Sequence, residues 1–158
     1  VSGSIWVYDS ARIFGSSEVS GSAKVYGMSQ VSGKSQVYDS AWVFCYAEVF
    51  DNARVYGDAR ISGHARILGD AIIHGSALVY GFARVYGKSR VYGKSQVYGS
   101  AMVFDEAKVH DSAMVHGSAE IYGSAEIYDY ANIFDHAIIY GSTRIGGSTS
   151  IGGTADIY

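Results

Sequence analysis

Residues 79–102 read VYGFAR VYGKSR VYGKSQ VYGSAM, four sextets that share an aliphatic first residue, a glycine at the third place and a small fifth residue. With the six positions named a to f, this frame extends in both directions without an insertion. Position a is Val or Ile in all 27 instances, position e is Ala, Ser or Thr in 25 of 26, and position c is Gly or Asp in 25 of 26. Ile5 and Cys45 are the two exceptions. We therefore predict one repeat domain over residues 1–158.

The sextet itself predicts a strand at positions e, f, a and b, followed by a corner at c and d. Side chains alternate across a strand, so the small e and aliphatic a residues share one face and point inward. Gly, and Asp better than most residues, tolerate the positive φ that a tight corner needs. An α-helix is excluded because a period of six does not match about 3.6 residues per turn. The identical inward pattern of every sextet favours a chain that always turns the same way, stacking parallel strands into an all-β solenoid.

The number of sextets per coil is left open by the period. Three sextets would make a triangular coil of about 18 residues, and two would make a flat coil of about 12 residues. The repeat is too uniform to choose between them, because Asp at position c and Ser at position b occur on every face in either arrangement.

The pattern resembles the hexapeptide repeat of the left-handed β-helix superfamily. Val55 with Ala59 and Val85 with Ser89 match its aliphatic and small positions. Val79-Tyr80-Gly81 is similar to the repeats of YdcK-like hexapeptide proteins, although Gly or Asp stands one place later than the superfamily prefers. The resemblance implies left-handed triangular coils of three sextets, hence about nine coils and a rod of about 40 Å.

With three sextets per coil, residues 18 apart become neighbours and outward residues form rows along the rod. One row at position b is a candidate self-association stripe. Alternatively, its members only stack on each other and stabilise the sheet. The stripe consists of Phe14, Phe50, Leu68, Tyr86, Phe104, Tyr122 and Tyr140. A second aromatic row includes Tyr80 and Tyr98, a corner row runs Met28, Tyr46, His64 and Phe82, and a row of charges at position f is interpreted as a solvated face.

Bulk composition excludes several partners. A net charge of −3 and a pI near 5.9 argue against nucleic acid, which needs a dense basic face. No apolar run approaches the roughly 20 residues that span a bilayer, and no polybasic segment suggests a membrane surface. The single cysteine permits no intrachain disulfide, so the compartment is left open between cytoplasm and a virion or cell surface. The chain begins with Val1, which we interpret as a fragment or a processed product.

Catalytic chemistry finds no support in the pattern. The superfamily's acyltransferases carry histidines on loops that interrupt the coils, and no interruption occurs here. His74 and His110 would lie on one face two coils apart, about 10 Å and too far for a shared zinc ion, while His116 lies on another face. Ser118 and His136 would be corner neighbours without a third group. We predict no catalytic, metal or cofactor site, and no cofactor.

Three functions remain as hypotheses, ordered by their support in the sequence. The first is a non-catalytic structural solenoid that acts as a rod, a spacer or a self-assembling unit. The repeat reaches both chain ends without a cap, so we expect either caps in a longer parent chain or end-to-end stacking, as in the filament-forming bactofilins of the superfamily. The second is a surface or phage-associated module that binds carbohydrate or protein through aromatic rows, and the third is an acyltransferase-like enzyme. The expected partner is a second copy of the chain, end to end or side by side.

Overall fold

The computed structural model describes residues 4–158, which form 26 short strands and no helix. Each strand consists of position f of one sextet and position a of the next. The strands are β1 (Trp6–Val7), β2 (Arg12–Ile13), β3 (Glu18–Val19), β4 (Lys24–Val25), β5 (Gln30–Val31), β6 (Gln36–Val37), β7 (Trp42–Val43), β8 (Glu48–Val49), β9 (Arg54–Val55), β10 (Arg60–Ile61), β11 (Arg66–Ile67), β12 (Ile72–Ile73), β13 (Leu78–Val79), β14 (Arg84–Val85), β15 (Arg90–Val91), β16 (Gln96–Val97), β17 (Met102–Val103), β18 (Lys108–Val109), β19 (Met114–Val115), β20 (Glu120–Ile121), β21 (Glu126–Ile127), β22 (Asn132–Ile133), β23 (Ile138–Ile139), β24 (Arg144–Ile145), β25 (Ser150–Ile151) and β26 (Asp156–Ile157).

Three parallel sheets enclose the rod, because each strand pairs with the strand three places further along the chain. The first sheet runs from β1 to β25, the second from β2 to β26 and the third from β3 to β24. The register is constant, so that Arg84 pairs with Met102 and Val85 with Val103. The chain therefore makes about eight triangular turns of 18 residues, which confirms the parallel solenoid and decides for three sextets per coil. The left-handed winding stays a prediction from the resemblance.

Hydrogen bonds between coils continue beyond the two-residue strands. The N–H of Tyr86 donates to the carbonyl of Val103 at 3.0 Å, and the N–H of Lys88 donates to the carbonyl of Asp105 at 2.6 Å. Positions b and d therefore remain paired with the next coil, although regular strand geometry spans fewer residues than the four that the sextet predicts. Strand geometry ends early because the positive φ at position c bends the chain immediately after position b.

The core is a single column of position a and position e side chains. Val55, Ala59, Val85 and Ser89 are all fully buried, as the inward pattern predicts. Ile, Val and Ala from three sides fill the space, and small residues at position e leave room for the aliphatic residue of the neighbouring sextet. Where Ser replaces Ala, its hydroxyl finds backbone partners: Ser89 Oγ donates to the carbonyl of Tyr86 at 2.8 Å.

Corners are turns, and at many of them the carbonyl of position b accepts the N–H of position e, as when Ala101 donates to Tyr98 at 3.4 Å. All described position c residues have φ between +55° and +74°, including seven aspartates and Cys45. Positive φ at the first central residue is typical of turns that favour Gly, and Asp tolerates it better than most residues. The preference for Gly or Asp at position c is thus explained by the turn.

Candidate functional site: the outer surface of the second sheet

The candidate self-association stripe lies on the outer surface of the second sheet, where every member occupies position b. Phe14 is 49% exposed, and the other members are half-buried because side chains of the neighbouring coils cover them. Tyr86 and Phe104 stack with ring centroids 4.9 Å apart, and Phe104 stacks on Tyr122 at 4.8 Å. The stacking prediction is confirmed from Tyr86 to Tyr140. In full the stripe comprises Phe14, Phe50, Leu68, Tyr86, Phe104, Tyr122 and Tyr140.

The stacked rings present their edges to the surroundings. Interplanar angles of 2° and 12° along Tyr86, Phe104 and Tyr122 mean that the ring faces are turned toward one another. The face of each of these rings is therefore covered by the ring of the next coil, and the outer surface consists of ring edges and phenol oxygens. Burial raises the pKa of the Tyr86 phenol, and the negative charges of Glu120 and Asp105 raise it further. The stripe is consequently a neutral, partly apolar ridge at ordinary pH.

Position f residues of the second sheet form a row beside this stripe, and their charges change sign along the rod. Arg66 Nε lies 2.9 Å from Glu48 Oε2, so these two charges are paired within the chain. Arg84 and Glu120 form no ion pair with any residue of the described part of the chain. Met102 separates them, since β17 lies between β14 and β20. An apolar centre thus has an unpaired cation one coil below and an unpaired anion one coil above.

The third sheet carries a cluster of charges around Glu126 that are already paired. Glu126 lies 2.9 Å from Arg144, 3.9 Å from Lys108 and 3.2 Å from the His110 imidazole. Lys108 and Glu126 are neighbours because residues 18 apart pair between coils. Arg54 and Arg90 of this sheet form no ion pair with any described residue, but both are cations, so they do not offer a partner the opposite signs that Arg84 and Glu120 offer.

A further aromatic ladder follows the third sheet; the sequence reasoning placed His74 and His110 on one face but did not name the tyrosines of their row. Tyr38, Tyr56, His74, Tyr92 and His110 stack in order, with centroids between 4.7 and 5.0 Å apart. Reading position b at intervals of 18 residues from Ser20 would have found it. His74 and His110 are separated by Tyr92, as the two-coil spacing predicts. Burial lowers the pKa of His74, and the nearby Arg90 charge lowers it further.

The remaining histidines also lie in outward rows. His116 stacks between Tyr98 and Phe134 on the first sheet, and His64 stacks between Tyr46 and Phe82 at a corner. Within residues 4–158, no group of three or more His, Cys, Asp or Glu side chains could hold a metal ion. In the same range, no helix has the length and apolar character needed to cross a membrane.

The corner row beside the second sheet borders a shallow groove of about 370 Å³. Tyr46 and Phe82 are at least half exposed there, and Arg66 and Arg84 line the opposite side. Cys45, which precedes Tyr46, is an exposed free thiol. The corner arrangement predicted for Met28, Tyr46, His64 and Phe82 is confirmed for its three rings, which stack at 4.8 and 5.0 Å.

Carboxylates at the corners have a structural role that the sequence reasoning did not assign. Among the described residues, the N–H of position c has no backbone partner in the ladder, and where the residue one coil below is an aspartate its carboxylate accepts this N–H. Asp105 Oδ2 accepts the N–H of Gly123 at 3.2 Å, and Asp129 Oδ2 accepts that of Gly147 at 2.8 Å. The other five bonds of this kind are made by Asp9, Asp39, Asp51, Asp111 and Asp135.

Residues 59–75, which cover the strands β10, β11 and β12 and the two corners between them, match the family model described as the YdcK Beta solenoid repeat. Residues 59–75 are thus similar to a YdcK-type solenoid repeat. The match and the three parallel sheets are consistent with a hexapeptide-repeat-like β-helix family, which confirms the resemblance. Searches of curated proteins and of solved structures gave no significant match. The YdcK-type repeat therefore supports a structural repeat protein, and the specific role has to be argued from the surfaces described above.

Proposed function

We propose that this chain is a non-catalytic structural solenoid, a stiff rod that serves as a spacer or a self-assembling unit. One observation carries the proposal: outward side chains on all three sheets are engaged mainly with residues one coil above or below. Aromatic ladders follow the first, second and third sheets, with successive centroids mostly 4.7 to 5.1 Å apart. Side chains used in this way reinforce the rod along its axis.

Stiffness follows from the way the coils are joined. Neighbouring coils share backbone hydrogen bonds at positions b, d and f, the closed aliphatic core and the stacked rings. Aromatic pairs of this kind each contribute roughly 0.5–1.5 kcal/mol beyond their area burial. Bending the rod would open several of these contacts at once, so we expect one well-defined end-to-end distance.

Pulsed electron–electron spin resonance tests the rod directly. Ser22 and Ser148 are exposed corner residues after β3 and β24, at opposite ends of the third sheet. They lie seven coils apart, or about 34 Å at a spacing of about 4.8 Å per coil. Spin labels at Ser22→Cys and Ser148→Cys in a Cys45→Gly background should give one narrow distance distribution near that value. Labelled protein is diluted with unlabelled protein so that only distances within one chain are measured. A broad distribution would refute the rod.

A binding module is the second candidate, favoured by the exposed corner row and its groove. Tyr46 and Phe82 leave apolar surface uncovered, and Arg84 adds charge beside it. Within the ladders, however, ring faces are covered by neighbouring rings, whereas flat sugar rings pack best against open faces. This geometry favours a protein ligand over carbohydrate. A glycan array with no binding, or with binding that is unchanged in Tyr46→Ser and Phe82→Ser, would remove the carbohydrate form of this hypothesis.

Acyltransferase-like activity rests on the family resemblance alone. Coenzyme A should leave the melting temperature of the protein unchanged if the chain is non-catalytic. A rise in melting temperature with increasing coenzyme A would contradict the proposal, because a ligand that binds only the folded state stabilises it.

A further inference from the structure

We propose that the second sheet is a self-complementary surface on which a second copy of the chain binds side by side, with the two rods antiparallel. This inference deepens the proposed function, because it names the partner of a self-assembling rod. It rests on the part of that proposal in which the chain self-assembles. The dyad would run along β17, at the level of Met102 and Phe104. The charge pattern around this strand, the apolar centre and the available area support this position.

The symmetry follows from the constant register of the second sheet. A two-fold axis along one strand inverts the rod axis but keeps positions f and b in place. The coil above the axis in one copy therefore meets the coil below it in the other. Because β14 and β20 flank β17 on either side, Arg84 of each copy would face Glu120 of the other. A two-fold interface makes each such contact twice, so the two unpaired charges of one chain would become two ion pairs in the dimer.

The position b side chains at β17 and on the neighbouring coils are compatible with the same two-fold axis. At position b, Phe104 would meet Phe104 of the second copy, and Tyr86 would meet Tyr122. These residues are half-buried and form the centre of the stripe, so the contact would have an apolar middle with charges beside it. At the ends of the overlap, where β8 meets β26, Glu48 would face Asp156 of the second copy. The repulsion between these carboxylates is moderated because Glu48 is already bonded to Arg66.

The other two sheets lack this complementarity. The outward charges of the first sheet are cations, and Lys24 and Arg60 both lie over the ring of Trp42, at 4.3 and 4.9 Å from its centroid. On the third sheet Glu126 is already bonded to Arg144. The second sheet alone combines an apolar centre with an unpaired cation and an unpaired anion at equal distances along the rod.

The available area predicts a weak dimer. Seven strands from β8 to β26 would overlap over about 30 Å, on a face about 13 Å wide. The contact would bury about 800 Å² in total, below the roughly 1,200 Å² of stable specific interfaces. We therefore expect the dimer at micromolar to millimolar protein concentration, and we expect salt to weaken it because its charges lie near the surface.

Disulfide trapping detects such a dimer even when it is short-lived. In a Cys45→Gly background, Met102→Cys would place the two thiols next to each other across the axis. Met114→Cys is the matched control, because Met114 is also a half-buried position f residue but lies on the first sheet. Mild oxidation should give covalent dimer with the first variant at least tenfold faster than with the second. Equal rates for the two variants would overturn the proposal.

Charge reversal then tests the antiparallel arrangement. Adding Arg84→Glu or Glu120→Arg to Met102→Cys should slow trapping about tenfold, and adding both should restore the original rate, because each ion pair is re-formed with its signs exchanged. Arg90→Glu, an exposed position f change on the third sheet, should leave the rate unchanged. Failure of the double reversal to restore trapping would exclude this pairing. A narrow spin-label distance without trapping would refute the dimer alone, whereas a broad distance would refute the rod whatever the trapping result.

Discussion

Gly99 offers a sharp test of how closely the coils stack at their corners. Its φ is +69°, and a Cβ added there would lie 2.8 Å from the carbonyl oxygen and 3.0 Å from the nitrogen of Gly117 on the next coil. Gly147 has nearly the same φ, +67°, but nothing lies within 4 Å of the position of its Cβ. The two glycines therefore share the conformational cost of substitution and differ in the steric cost.

The expected magnitudes follow from these two terms. An L-residue at positive φ costs roughly 1–2 kcal/mol, which should be the whole effect of Gly147→Ala. Gly99→Ala should cost about 1–3 kcal/mol more, because backbone of the next coil has to move away. Gly99→Asp should be less damaging than Gly99→Ala by about 1 kcal/mol, since its carboxylate can accept the N–H of Gly117 as Asp105 accepts that of Gly123.

Guanidinium unfolding followed by circular dichroism would give the free energies of unfolding for the three variants and the parent chain. The predicted order of stability is Gly147→Ala, then Gly99→Asp, then Gly99→Ala as the least stable. If Gly99→Ala lost no more stability than Gly147→Ala, the close approach of neighbouring corners would be refuted.

The remaining predictions concern titration and packing. Because the pKa of His74 is lowered in the folded protein, its contribution to stability is present above pH 6.5 and lost as pH falls through the folded pKa; unfolding titrations of the parent and His74→Phe should show a smaller acid slope in the variant. The pKa values of Tyr86 and Tyr92 are raised from 10.0, so stability that is complete below pH 10 should fall as pH rises through their folded pKa values, in step with tyrosinate absorbance at about 295 nm. Ala101→Leu should destabilise the buried column by about 1–3 kcal/mol, whereas Ser100→Leu at the exposed corner should change stability by less than about 0.5 kcal/mol in denaturant unfolding; equal effects would contradict the inward placement of position e.

The inward and outward pattern was predictable because side-chain alternation depends only on local geometry. Val85 and Ser89 occupy positions a and e, which alternation places on the same face of the chain, and both are buried in the core. The number of sides per coil was not predictable from the period, since Val97 in a two-sided coil and Val103 in a three-sided coil are equally suitable neighbours for Val85. Both are buried valines, and the sextets carry no mark that distinguishes one face from another.

The surface was predictable only in part. Stacking of Tyr86 on Phe104 follows from the coil length once that length is known. The bond between Asp105 and the N–H of Gly123 was missed, because Asp at position c already had a sufficient explanation in its positive φ. The unpaired state of Arg84 and Glu120 also required coordinates, since each could have found a partner on a neighbouring corner.

Nuclear Overhauser contacts between assigned aromatic rings test the central claim, that coils of 18 residues stack in parallel and in register. Tyr86 should show ring contacts to Phe104, whose centroid lies 4.9 Å away, and none to Tyr98, which stacks on Tyr80 on a different sheet. Contacts between Tyr86 and Tyr98 in place of those to Phe104 would mean coils of 12 residues and would contradict the triangular solenoid.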